Sequence, residues 1–124
     1  MEDKDPLTEV VIGAAIEVHR LMGPGLLESI YQRSMEEELR LRGCQFEPQA
    51  RLPLIYKGVA LDDDLVMDLF FPGRLVFELK AVEKLLPVHE AQLLTYLKLS
   101  KTHVGLVINF NVPVLVEGLK RMVL

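Results

Sequence analysis

The sequence predicts an α/β fold, a central mixed β-sheet flanked by helices. Three observations carry this. Leu7, Val10, Val11, Ala14, Ala15, Val18 and Leu21 recur at the spacing of one helical face. Two segments rich in branched and aromatic residues, 64–71 and 75–82, are separated by the turn signal Pro72-Gly73. A third such segment, Thr102 to Phe110, follows a stretch of helical composition, so the strand at 75–82, the helix and this last strand make a right-handed β-α-β unit. Helices on the faces of one sheet bury all of these apolar surfaces.

Each element has its own signal. The first helix is expected over Leu7–Leu21, and Gly23-Pro24-Gly25 breaks it. A second helix over Leu26–Arg42 carries Leu27, Ile30, Tyr31, Met35, Leu39 and Leu41, turns Glu36-Glu37-Glu38 mostly to water and ends at Gly43. Cys44 to Tyr56 reads as extended, with Pro48 and Pro53 confining it to an edge or to irregular pairing. Lys57-Gly58 suits a hairpin tip leading to Val59-Ala60-Leu61. Pro87 opens a helix over Val88–Leu99. Val112 to Leu124 is a short final element, with Pro113 near its start and Gly118 within it.

A length of 124 residues fits one domain, taken as 7–124, with a polar and frayed or disordered stretch at 1–6. The start has no apolar core of a signal peptide, and no apolar run approaches the ~20 residues that span a bilayer. Cys44 is the only cysteine, so no internal disulfide forms, and the expected compartment is the cytoplasm. The net charge of −4 does not advertise nucleic-acid binding, which would need a local basic patch. Arg51, Lys57, Arg74, Lys84, Lys98 and Lys101 are the candidates for phosphate contact. Half of the residues are hydrophobic, and the apolar C-terminal stretch suggests a homodimer through that segment or the N-terminal helix.

The chemistry concentrates on one strand. Side chains alternate, so Val76, Glu78 and Lys80 share a face of a strand that is otherwise apolar. Opposite charges there are costly unless paired, solvated at a cleft or bound to a metal. If the segments at 64–71 and 75–82 form a hairpin, Asp68 lies near Glu78 and Lys80. Carboxylate oxygens suit Mg²⁺ or Mn²⁺, with the Leu79 carbonyl as a further oxygen between the two side chains. Lys80 would orient a metal-bound water or offset developing negative charge. The plainer alternative is a structural Glu78–Lys80 ion pair on an exposed sheet face.

Other groups point to simpler roles. His19, His89 and His103 have no zinc-like spacing and read as surface or satisfied histidines. Asp62-Asp63-Asp64 lacks the glycine and distal glutamate of a calcium loop and reads as a solvated turn. Glu28 at the start of the second helix favours the helix dipole. Gln92 and Tyr96, four apart, share a helix face. Tyr31 reads as core packing with a satisfied hydroxyl. No phosphate-cradling glycine loop and no Ser-His-Asp arrangement is present.

Gly25-Leu26-Leu27-Glu28-Ser29-Ile30-Tyr31 resembles the signature of the GxxExxY protein family. The blocks Asp68-Leu69, Glu78 to Val82, Gln92 to Leu97 and Gly105 to Phe110 also resemble that family, in the same order, over roughly 7–124. The family is similar to the PD-(D/E)XK nuclease superfamily. The resemblance implies a restriction-endonuclease-like core and metal-dependent hydrolysis of phosphodiester bonds in DNA or RNA. It implies that Asp68, Glu78 and Lys80 are the superfamily's Asp, Glu and Lys, with Mg²⁺ or Mn²⁺ on Asp68 and Glu78. Glu28 corresponds to the acidic residue of the first core helix, an outer metal ligand or one acting through a water. Gln92 and Tyr96 correspond to a glutamine-tyrosine motif that holds substrate phosphate or the nucleophilic water. Met67 stands where the motif has proline, a position that varies. Two other classes compete: a nucleic-acid- or protein-binding module that kept this fold without turnover, and a small-molecule phosphodiesterase.

Overall fold

A computed structural model describes residues 5–124, so the frayed start expected at 1–6 falls mostly outside the described residues. Within them, the Asp5 carboxylate accepts from the Leu7 N–H at 3.0 Å, and Pro6 opens helix α1 (Pro6–Met22). An aspartate cap followed by proline is a strong local helix start. Thr8, Val11, Ala14, Ala15 and Val18 form the buried face of α1. Leu21, expected on that face, is exposed, as is Val10. Helix α2 (Glu28–Leu41) buries Tyr31, Gln32, Met35 and Leu39.

The strands are β1 (Glu47–Tyr56), β2 (Val59–Phe71) and β3 (Leu75–Lys80). Helix α3 (Pro87–Ser100) leads to β4 (Val104–Asn109), and a 3₁₀ turn at Leu115–Gly118 leads to β5 (Leu119–Val123). The sheet is mixed, five-stranded and ordered β1-β2-β3-β4-β5, and with its three helices it matches the expected α/β class. Prolines 48 and 53 lie in β1, the edge strand, where a missing N–H is tolerated. Lys57 and Gly58 both have positive φ (50° and 81°), the two-residue turn that matches strand twist, and Tyr56 pairs with Val59 across it.

One expectation is corrected. Asp62-Asp63-Asp64 is not a turn; it lies inside β2 and is exposed. β1 and β2 are exposed over most of their tip-proximal length, so charge there stays solvated on an extended strand and no apolar alternation marks it. The final element, given no conformation from sequence, contains β5. His103 and Leu124 meet at one end of β4 and β5, and Asn109 and Gly118 at the other, so β5 runs antiparallel to β4.

The chain divides into two compact units, neither of them a contiguous stretch. Of the described residues, the first is built from 5–45, 79–85 and 108–119, and its core holds Val11, Ala14, Met35, Leu39, Ile108 and Phe110. In it Tyr31 stacks on Phe110 at 4.8 Å between ring centroids. The Tyr31 hydroxyl donates to the Gly23 carbonyl at 2.5 Å and accepts from the Leu26 N–H at 3.1 Å. One side chain thereby ties down the loop that begins α2, and Gly25 supplies the positive φ (91°) that the loop needs. Asn109 is buried; its amide donates to the Val82 carbonyl at 2.8 Å and its oxygen accepts from the Val82 N–H at 3.0 Å. The second unit holds residues 46–78, 86–107 and 120–124, with Met67, Leu69, Phe77, Leu93, Leu97 and Leu106 in its core.

Candidate active site

Register places the acidic residues. β2 pairs antiparallel with β3 through Phe71↔Leu75, Phe70↔Val76 and Leu69↔Phe77. Directly opposite residues share a face, so Leu69, Phe71, Leu75 and Phe77 lie on one side. By alternation Asp68, Phe70, Val76, Glu78 and Lys80 lie on the other. The next N–H along β2, that of Asp68, donates to the Glu78 carboxylate at 2.9 Å. A side chain here takes an N–H that a regular ladder would give to a backbone carbonyl. Glu78 is only 4 % exposed, so this bond helps offset the desolvation of a buried carboxylate.

Helix α3 contributes to the same unit. The Gln92 amide donates to the Tyr96 hydroxyl at 3.1 Å, one helical turn apart. Burial, and then the charges of Glu78 and Asp68, push the Tyr96 phenol above its ordinary range, while the Gln92 bond pulls the other way. Tyr96 therefore stays protonated at neutral pH, and its hydroxyl sits in the field of both carboxylates. On the β1 side, the Gln49 amide donates to Asp68 Oδ1 at 3.4 Å. The structure thus brings together Asp68, Glu78, Gln92 and Tyr96, and adds Gln49, which sequence reading missed. Lys80, half-buried, follows Glu78 by two positions in β3, and its carbonyl accepts from the Phe110 N–H at 2.9 Å.

Glu28 is exposed in the first turn of α2, where its charge suits the helix N-terminus. Lys84 is exposed in the loop before α3. Lys57 and Arg74 occupy the turns at opposite ends of β2, a strand of 13 residues. At ~3.3 Å per residue they are on the order of 40 Å apart and share no patch. All three histidines bond backbone. His19 Nε2 donates to the Val112 carbonyl (2.7 Å), His89 Nδ1 accepts from the Leu86 N–H (3.0 Å) at the start of α3, and His103 Nδ1 reaches the Leu124 carbonyl (3.2 Å).

Among the described residues no three His, Cys, Asp or Glu side chains gather as a metal cage. A Mg²⁺ site does not require three: one or two carboxylates, completed by waters and substrate oxygens, are its usual holders. Asp68 and Glu78, hard oxygen donors on one sheet face and linked by a hydrogen bond, fit that description.

An α/β sheet protein with two acids on one face of adjacent strands is the class that this geometry defines. The family model of the PD-(D/E)XK nuclease superfamily matches residues 5–122, and the chain belongs to that superfamily. Proteins of this superfamily generally use divalent metals, and a nuclease superfamily implies a nucleic-acid substrate. No curated protein and no solved structure matches the chain. Among the described residues no helix is long and apolar enough to cross a membrane.

Proposed function

We propose that this protein is a divalent-metal-dependent nuclease that hydrolyses phosphodiester bonds of DNA or RNA, of the GxxExxY type within its superfamily. The observation that carries this reading is the Asp68 N–H to Glu78 carboxylate bond, with both acids close enough to raise the Tyr96 phenol. It supports a pair of acids on adjacent strands in which the Glu78 carboxylate is tied to the Asp68 backbone.

Asp68 and Glu78 would hold Mg²⁺ or Mn²⁺, with Glu28 acting as a further ligand or through a water. When bound, the metal lowers the pKa of a coordinated water and offsets phosphate charge. Lys80 orients the attacking water and stabilises negative charge as the new P–O bond forms and the ester P–O bond breaks. Tyr96, a protonated donor in the field of two carboxylates, binds a phosphate oxygen, and Gln92 fixes the Tyr96 hydroxyl. Lys84 adds a mobile positive charge for the substrate backbone.

The test is cleavage of labelled single- and double-stranded DNA and RNA with Mg²⁺ or Mn²⁺. Asp68→Ala and Lys80→Ala should abolish cleavage while retaining the fold. Equal cleavage by wild type and both variants would remove the proposal. The acidic net charge of −4 supports a second reading, a binding module that kept the fold. A protein that binds neither metal at millimolar concentration favours that reading.

The apolar side chains exposed along α1 (Ile16, Leu21, Met22) and at the chain end (Val123, Leu124) support a homodimer. Sedimentation at micromolar concentration should give twice the monomer mass; a monomer alone contradicts it.

A further inference from the structure

Three non-glycine residues among those described have positive φ: Gln49, Lys57 and Lys101. Two are explained locally. Lys57 forms the β1–β2 hairpin turn, and Lys101 caps the end of α3 in the left-handed conformation. Gln49 (φ 49°) is neither in a turn nor at a cap; it lies within β1, flanked by paired residues. A left-handed conformation carries a steric cost for any residue with a Cβ, and one that persists inside a strand is held there by its surroundings.

The register shows what surrounds it. Pro48 pairs with Leu69 and Ala50 with Met67, so Gln49 stands directly opposite Asp68. On a regular strand, side chains stand roughly perpendicular to the sheet, beside their cross-strand neighbours rather than aimed at them. Gln49 combines this left-handed backbone with a side-chain amide that donates to Asp68 Oδ1 at 3.4 Å.

We propose that Gln49 is a positioning residue for the Asp68 carboxylate, its left-handed backbone maintained to deliver a neutral donor that fixes the plane of that carboxylate. This rests on the reading of Asp68 as a metal-holding acid. An amide donor orients the carboxylate without competing for a cation, the role that partners of metal ligands commonly play, and their removal typically weakens metal binding 10–100-fold.

Gln49→Gly separates the donor from the strain, because glycine accepts this φ without steric cost, which offsets its greater chain entropy, while the amide donor is lost. In the full chain, Gln49→Gly should unfold at or above the wild-type temperature yet bind Mn²⁺ about 10-fold more weakly by titration calorimetry. Unchanged Mn²⁺ affinity in this folded variant overturns the proposal. A metal-free arm uses the side-chain amide resonances of the isotopically labelled protein. Asp68→Asn should shift the Gln49 signal and leave that of Gln45 in place; an unmoved Gln49 signal also overturns it. If wild type binds no Mn²⁺, the metal reading fails by itself, and the amide resonance still decides whether Gln49 holds Asp68.

Discussion

Glu78 accepts, through its carboxylate, the backbone N–H of Asp68 at 2.9 Å, on the strand beside its own. The acid is thus part of the sheet's hydrogen bonding as well as of the proposed metal site. Glu78→Gln keeps a carbonyl acceptor for that N–H and removes a buried charge, so stability should stay within about 1 kcal/mol of wild type. Glu78→Ala leaves the N–H without its acceptor and should cost about 1–3 kcal/mol. Urea midpoints measure both, and both variants should lose Mn²⁺ binding.

Tyr96 gives the alkaline limit. Its phenol is raised by burial first and by Glu78 and Asp68 second, so the folded state holds its proton more tightly than the unfolded state does. Stability from this group is fully present below the ordinary tyrosine value of about 10 and is lost as pH climbs through the raised folded value. Thermal midpoints of wild type should fall faster above pH 10 than those of Tyr96→Phe. Parallel curves would show that Tyr96 does not contribute.

Tyr31 separates ring from hydroxyl. Tyr31→Phe keeps the stack on Phe110 and removes two hydrogen bonds to the loop before α2, a loss of about 1–2 kcal/mol. Tyr31→Ala empties a fully buried site and should cost about 3–5 kcal/mol. Amide exchange in the Phe variant should rise at Leu26 more than in the middle of α2.

Gly118 is the tightest glycine. A Cβ there would collide with the backbone carbonyl of Asn109, which cannot yield without breaking the β4–β5 approach. Gly118→Ala should cost about 2–3 kcal/mol. At Gly105 the added carbon meets the side chain of the buried Leu93 at 2.8 Å rather than a backbone carbonyl, so Gly105→Ala should cost less. Chemical unfolding of the two variants side by side tests the order.

The acids were legible in the sequence because charge on an apolar strand is conspicuous, and a proline-glycine turn fixed which segments face each other. Tyr31 was legible as a buried aromatic on a helical stripe. Gln49 was not: its importance depends on a cross-strand register and a backbone angle, neither of which leaves a compositional trace. β5 was equally hidden. Leu119-Lys120-Arg121-Met122-Val123 has little alternation, and its strand conformation comes from pairing with β4. Asp62–Asp64 misled because an exposed ribbon and a turn have the same polar composition. Asn109 looked like one more residue of an apolar strand; only the fold shows that its amide grips both backbone groups of Val82.

The interleaving of the two units bears on how this protein emerges from the ribosome. Each unit needs residues beyond 107: one takes 108–119, the other 120–124. At roughly 5–20 residues per second, synthesis of the chain takes on the order of 10 s, and for most of that time neither unit can be completed. Through that interval β3 awaits β4, its neighbour in the finished sheet, and its apolar face is a nascent surface to which chaperones and like chains have access.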